Sequence, residues 1–476
     1  MTAVRGTAAD ITLANVGVSN PRTVPVGPLY VAAVLDRGGY RVDFRDRTSS
    51  SYWELDPRAL AASLDDSAAI LGVGCISDTL PFAVAALAEF KTRHPGTTVI
   101  LGGPGPTGVA RDLVEAFPFI DVVVAGEGEE TTLEVMRCLT DRGGASNPQA
   151  DASAGLAGVS GISYRAEGCV HTNPARERIR DLDRLPFPLY DAVALEKYPM
   201  VNIVSSRGCP YHCTFCDVAP MWSRKNFRRS VESVVDEIKY LRTRFGRRYF
   251  EFTDETFILS QDRVLDFCAR LKQERLDVKW TATGRVNLVT RELLAEMASA
   301  GCEAMFFGIE SGSDTVLERV RKDFTVGEAV EVLHTTLEYM RPVASFIWGF
   351  PFETEEDLVR TLLLVVYLSQ IGVDSRLSRL APFPLMPLYR EYGDRLTWLE
   401  EPGPYSGREP FRPAGYPAEV RDLVTRYPRI FPFFHCFASD GLEEKARIVR
   451  SLGRYWHVAE WFDSNGEGDR RCQKQT

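Results

Sequence analysis

The sequence predicts an α/β protein built from two successive β/α series and a small, mainly helical C-terminal part. Three observations carry this. Short β-branched and aliphatic runs alternate with stretches of helical spacing from Ile11 to about residue 140. The same alternation resumes at Val201 and continues to Leu380, after a Gly-, Ala-, Ser- and Asn-rich stretch at 141–160 that lacks periodicity. Beyond Arg390 the chain is Pro-, Tyr- and Phe-rich, then helical over 417–426 and 441–462, with a polar tail from Asp463.

In the first series the strand runs are Ile11–Val16, Arg41–Asp46, Ala69–Ile76, Thr98–Leu101 and Asp121–Ala125. Helical spacing lies between them at Leu29–Arg37, Pro57–Leu64 and Leu80–Arg93. This is the pattern of a doubly wound, Rossmann-like parallel sheet, whose ligands bind outside the carboxyl ends of the strands. Those ends read Val16-Gly-Val-Ser19, Cys75-Ile-Ser-Asp-Thr79, Gly102-Gly-Pro-Gly-Pro-Thr107 and Gly126-Glu-Gly-Glu129. Gly102 and Gly103 let the backbone approach a bulky ligand. No Gly-Lys-Ser/Thr follows, so the run is not a nucleotide P-loop. It also follows the fourth strand, not the first, so it is not the dinucleotide fingerprint. By themselves the glycines fit ordinary tight turns equally well.

Gly161–Arg165 with Gly168-Cys-Val reads as a small hairpin, and Asp181–Leu189 as a Pro-rich extended segment. The second series has six strand runs: Val201–Ser205, Tyr249–Thr253, Val278–Thr283, Ala304–Ile309, Val343–Trp348 and Asp374–Leu380. Helical stretches separate them, giving a partial (β/α)6 barrel of TIM type with its function at the carboxyl strand ends. These ends carry Asp254-Glu255, Gly284-Arg285, Gly308-Ile-Glu310-Ser311-Gly-Ser313, Gly349-Phe-Pro351 and Pro382-Phe-Pro384. Any one alone fits a solvated turn or a surface ion pair; their recurrence in register argues for a site.

The first barrel strand leads into Ser206-Arg-Gly-Cys-Pro-Tyr-His-Cys-Thr-Phe-Cys-Asp217. Of the ten cysteines, only Cys209, Cys213 and Cys216 have ligand spacing. A four-iron four-sulfur cluster takes one thiolate per iron, so three ligands leave one iron open. Structural zinc more often wants a fourth Cys or His, and His212, adjacent to Cys213, would be a strained co-ligand. Zinc and inert core cysteines are the alternatives. The charge balance of 56 basic and 65 acidic residues gives −9, with no basic run to track a phosphate backbone, so nucleic acid is disfavoured. No apolar signal core opens the chain, and Leu362–Leu368 is far too short to span a bilayer. With no disulfide framework, a soluble protein of a reducing cytoplasm is expected.

The Cys-x3-Cys-x-Phe-Cys loop after a strand, opening a β/α series, resembles the radical S-adenosylmethionine superfamily. Gly102-Gly-Pro-x-x-Thr107 and Asp121-Val-Val-Val-Ala-Gly-Glu-Gly-Glu129 are similar to the cobalamin-binding domain fused before many of its members. The resemblance covers the chain to about residue 392. It implies a [4Fe-4S] cluster on Cys209, Cys213 and Cys216, with S-adenosylmethionine on the open iron. Asp254 or Glu255 would receive the methionyl ammonium and Arg285 the carboxylate. Glu310, Ser311 and Ser313 would serve ribose or ammonium, and Phe215 and Gly349 the adenine side. Cobalamin contacts are implied at Ser77, Asp78, Thr79, Gly102, Gly103, Thr107, Gly126 and Glu127.

Two departures stand out. The cobalt-ligating Asp-x-His-x-x-Gly signature is absent, since none of His94, His171, His212, His334, His435 and His457 lies in that context. The run Pro384-Leu-Met-Pro-Leu-Tyr389 also replaces the Pro-Gly-Thr-Pro often found before a Tyr in relatives.

The implied organisation is a cobalamin-binding domain over 1–140, a bridge over 141–198, the radical barrel over 199–392 and a helical cap with tail over 393–476. The implied function is a cobalamin-dependent radical C-methyltransferase. One S-adenosylmethionine would methylate cobalt, and a second would give the 5′-deoxyadenosyl radical that activates an unactivated carbon. A small-molecule or carrier-bound metabolite and an external donor such as flavodoxin or ferredoxin are the implied partners, with neither nucleic acid nor membrane. A cyclase or rearrangement enzyme without methyl transfer is the nearest alternative, and a non-catalytic sensor a distant one. A transfer-RNA methylthiotransferase would need three more ligand cysteines and a basic tail, which the sequence lacks.

Overall fold

The structure, a computed structural model, describes residues 9–19, 23–140, 155–398 and 416–455. Most of the 141–160 connection and the tail from Asp463 lie outside them.

The first sheet begins with five parallel strands: β1 (Ile11–Val18), β2 (Val42–Ser49), β3 (Ile70–Cys75), β4 (Thr98–Gly102) and β5 (Val122–Val124). The apolar runs of β3, β4 and β5 suit strands covered on both faces. Helices Leu80–Arg93 and Ala110–Ala116 pack against one side and Val26–Arg37 and Gly128–Thr140 against the other. The order is β2-β1-β3-β4-β5, so the winding reverses between β1 and β3. That switch point is where an open α/β sheet takes its ligand.

The sheet then gains two antiparallel strands, β6 (Ile162–Ala166) and β7 (Cys169–Thr172). The predicted hairpin is therefore part of the first sheet, not of a free bridge. β6 is drawn in by Ile162 and Tyr164, which are buried, whereas β7 is mostly exposed, as suits an edge strand.

The second sheet is all parallel, in the order β15-β14-β13-β12-β11-β8. It comprises β8 (Val201–Ile203), β11 (Tyr249–Phe252), β12 (Lys279–Gly284), β13 (Cys302–Glu310), β14 (Arg341–Trp348) and β15 (Asp374–Arg379). Among the described residues β8 and β15 do not pair with each other, so the barrel is open. A two-residue ladder of β9 (Ser206–Arg207) and β10 (Phe227–Arg228) carries the cysteine loop away from β8.

The C-terminal part binds both units. Helix Ala418–Arg426 and Phe431, Phe433 and Phe434 join the core around Leu87 and Phe90 of the first unit. The helix starting at Leu442 packs through Leu442 and Ala446 against Leu358 and Leu362 of the barrel. The Ile430–Phe437 run, read in the sequence as either a pocket lining or a buried cluster, belongs largely to this packing.

Candidate functional site

Cys209, Cys213 and Cys216 sit on a loop whose backbone is pinned from several sides. Thr214 N–H donates to the Val320 carbonyl at 3.1 Å and its own carbonyl accepts from Leu388 N–H at 3.0 Å. Asn226 Nδ2 donates to the Gly208 carbonyl at 2.6 Å, and Arg224 to that of Tyr211 at 2.8 Å. Gly208 has φ +100, and a Cβ there would run into the Lys225 carbonyl oxygen. Gly208→Ala is thus expected to cost about 1–3 kcal/mol locally and to lower the iron retained per chain, read by iron analysis.

Burial pushes the Cys209 and Cys216 thiols upward, the latter to about 12, with Cys213 contributing to both. Thiolates here therefore need a cationic partner. Arg285 supplies part of it: Nη1 lies 3.3 Å from Cys213 Sγ while the guanidinium stacks 3.7 Å over Tyr211. Among the described residues no three His, Cys, Asp or Glu side chains converge as ligands of one ion would. A cluster offers separate irons to separate thiolates, so three thiols spaced around a fixed loop suit it. His212 is exposed on that loop.

The neighbouring strand ends are nearer to the loop's framework than to a free ligand surface. Asp254 is buried and accepts from Ser205 N–H at 3.2 Å, Ser205 Oγ at 2.8 Å and Ser206 Oγ. Glu255 accepts from Gly208 N–H at 2.8 Å. Asp254 is thus engaged by the strand leading to the cysteines, and Glu255 braces the residue before Cys209. Ser311 and Ser313 are likewise turned inward. Ser311 Oγ meets Thr361 Oγ1 at 3.1 Å and Ser313 Oγ donates to Asp357 at 2.5 Å, so both tie β13 to helix Glu355–Gln370. Glu310, at φ +73, pairs with buried Lys322 at 3.1 Å. Phe215 stands edge-on to Phe350 at 5.9 Å, with Lys322 Nζ over its ring at 5.8 Å.

Gly349 N–H donates to Glu353 at 2.7 Å, and Lys445 Nζ donates to the Glu353 carbonyl at 2.8 Å. Burial pushes the Glu353 carboxyl up to about 7 from its usual 4.5, against the opposing Gly349 N–H and Lys445. Between those values the folded chain keeps a proton that the unfolded chain has lost. The stability from this group is therefore complete below pH 4.5 and falls as pH rises towards 7. Melting temperature in the native protein should drop more across that window than in Glu353→Gln.

On the first sheet, Gly103 has φ +106, and a Cβ there would lie 2.5 Å from the Cys75 carbonyl. The β4 loop can thus lie flat against the end of β3. Thr107 Oγ1 donates to the Gly103 carbonyl at 2.8 Å and accepts from Gly126 N–H at 3.2 Å, linking two strand-end loops. Above Gly126 a Cβ would meet nothing within 4 Å, and Gly102 leaves only ordinary contact with Val124. Ile76 is exposed at the switch point. An open, glycine-floored ledge with an apolar rim fits a large planar macrocycle. Ser77 is half-buried there. Asp78 is buried and accepts from Tyr52 OH at 2.5 Å, and Thr79 donates to the Val16 carbonyl at 2.9 Å. Those two hold the switch point closed from below.

Glu127 is buried. Its carboxylate turns to the second sheet, accepting from Arg207 at 2.9 Å, Arg178 at 3.1 Å and Ile179 N–H at 2.8 Å. Arg207 also donates to Glu129 at 2.6 Å. This buried cluster ties the loop after β5 to the residue two before Cys209. A second junction sets Gly108, after β4, against Pro384 and Leu385, after β15. The carboxyl ends of the two sheets therefore meet. The sequence reading missed Arg207 although it lies inside the cysteine motif; Lys322 carried no signal of its own.

The sequence pattern of the radical SAM superfamily matches residues 203–365, and that of the B12 binding domain residues 12–136. An uncharacterized methyltransferase of Pyrococcus horikoshii is 30% identical over 376 residues, covering 78% of each chain. An anaerobic magnesium-protoporphyrin IX monomethyl ester cyclase of Rubrivivax gelatinosus is 29% identical over 386 residues, 78% of this chain and 67% of that one. The fold is shared with the radical S-adenosylmethionine methyltransferase TsrM of Kitasatospora setae, at a TM-score of 0.69 and 19% identity, over 94% of this chain and 88% of that one. Among the described residues no helix is long and apolar enough to cross a membrane. With both cofactor units in one chain and their strand ends meeting, this protein belongs to the B12-binding branch of the radical S-adenosylmethionine superfamily.

Proposed function

We propose that the enzyme methylates an unactivated carbon of a small or carrier-bound metabolite, with reducing equivalents from a flavodoxin or ferredoxin. The observation that supports this most is the meeting of the two sets of strand ends. Ligands held on the ledge of Gly102, Gly103 and Gly126 and at the Cys209–Cys216 loop would share one space between the sheets. Cys209, Cys213 and Cys216 hold the cluster, and Arg285 keeps cationic charge beside Cys213. In this reading Arg285 also faces the carboxylate of S-adenosylmethionine, Glu310 its polar groups, and Gly349 and Phe215 its adenine side. When bound, the cluster, S-adenosylmethionine and cobalamin supply radical generation and a transferable methyl group. The protein's own task is to fix their separation, which the Glu127–Arg207–Glu129 cluster does, and to exclude water from the space between.

The test is product analysis after anaerobic reconstitution with iron, sulfide and cobalamin, followed by reduction with S-adenosylmethionine present. Both 5′-deoxyadenosine and S-adenosylhomocysteine are expected. The likeness to a cyclase favours a second reading, which predicts 5′-deoxyadenosine with no S-adenosylhomocysteine. Neither product would remove both.

A further inference from the structure

Arg379 is the last residue of β15 and is 4% exposed. Its stem passes Gly349, where a Cβ would lie 3.7 Å from Arg379 Cγ. Nη1 donates to the His435 carbonyl at 3.2 Å, and Nε has no partner. Among the described residues no carboxylate pairs with it, although the other buried cations, Arg207, Arg229, Arg285, Lys322 and Lys445, each have one. The nearby polar group that acts on its charge is Tyr416, which packs edge-on against Phe82 at 5.6 Å and also feels the charge of Asp78. Arg379 thus stands between Gly349, at the end of β14, and the His435 carbonyl, beside Tyr416.

A guanidinium held out of water without an anion is costly. Burial lowers its pKa to about 10, which leaves it charged at neutral pH. The remaining donors form a fork suited to a carboxylate or phosphate oxygen pair. We propose that Arg379 binds an oxyanion, carboxylate or phosphate, carried by the methyl acceptor, so that the enzyme selects an anionic substrate. The proposal rests on the methyl-transfer reading only for the identity of the molecule that bears the anion.

The full chain, reconstituted anaerobically with iron, sulfide and cobalamin and bound to S-adenosylmethionine, is titrated calorimetrically with inorganic phosphate and with acetate. Saturable binding of at least one is expected, weakened about tenfold or more in Arg379→Gln and partly regained in Arg379→Lys. Iron and cobalamin contents should be unchanged in both variants. The tighter probe distinguishes a phosphate-bearing from a carboxylate-bearing substrate. No saturable binding to the native enzyme overturns the proposal, as does equal affinity in the Gln variant. So does loss of cobalamin with anion binding intact, which would give the guanidinium to the corrin. If the Gln variant loses both cofactors, the Lys variant carries the comparison, and native affinity there overturns the proposal. In the same samples, absence of 5′-deoxyadenosine with anion binding intact would remove the radical reading and leave the anion site standing.

Discussion

Replacing Cys213 by Ala is expected to abolish 5′-deoxyadenosine formation and leave less than about a tenth of the native iron after reconstitution, since each iron needs its own thiolate. The effect should be matched only by loss of Cys209 or Cys216. Cys213 is the buried member of the trio, in contact with Arg285, and its Sγ lies 3.6 Å from the Arg321 carbonyl. The Ala variant should keep its fold, because Thr214 and its neighbours are held by backbone bonds that the substitution leaves in place. Cobalamin uptake should accordingly stay native, since the ledge at Gly102, Gly103 and Gly126 makes no use of the thiol. Iron analysis and the visible spectrum of bound cobalamin, measured on one preparation, separate the two outcomes.

Arg207→Gln is the second large effect. It leaves Glu127 and Glu129 buried in the junction, with Arg178 and the Ile179 N–H remaining on Glu127. Breaking one side of a buried ion pair costs about 3–5 kcal/mol, because the partner charge stays behind. The melting temperature of the cofactor-loaded enzyme should fall by several degrees. Glu129→Gln introduced alongside should recover part of the loss, as expected for groups in one network. The same variant separates stability from geometry. If Arg207 sets the spacing of the two sites, the ratio of S-adenosylhomocysteine to 5′-deoxyadenosine should fall even in samples with full iron and cobalamin. An unchanged ratio would make Arg207 a purely structural tie.

The inner strands of the first sheet were legible in the sequence because a strand covered on two faces is apolar along its whole length. Val122-Val-Val and Ile70–Cys75 carry that signal without help from distant residues. The turn residues after each strand marked where ligands approach. The tertiary partner of a polar side chain was not legible. Asp254 and Glu255 announce acid at a strand end, yet which N–H or hydroxyl each accepts depends on where Ser205, Ser206 and Gly208 lie in space. Glu127 sits in a Gly-Glu-Gly-Glu run that suits a ligand loop, and only the arrival of Arg207 and Arg178 turns it towards the barrel. β7 was hidden for another reason. An exposed edge strand has no apolar face, so although the hairpin was legible, its place in the first sheet emerges only from the pairing of β6 with β5 and of β7 with β6. Arg379 ends the polar-looking strand Asp-Ser-Arg-Leu-Ser-Arg, where nothing distinguishes it from the half-exposed Arg376.

In the proposed chemistry one short loop holds three irons of a cubane and leaves the fourth for S-adenosylmethionine. Electron paramagnetic resonance of the reduced, reconstituted enzyme reads this at the cluster itself. A [4Fe-4S]+ signal should be present and should change its g-values when S-adenosylmethionine is added. A signal indifferent to S-adenosylmethionine would mean that no iron is open to it, and tightly bound zinc in place of iron would contradict the account altogether.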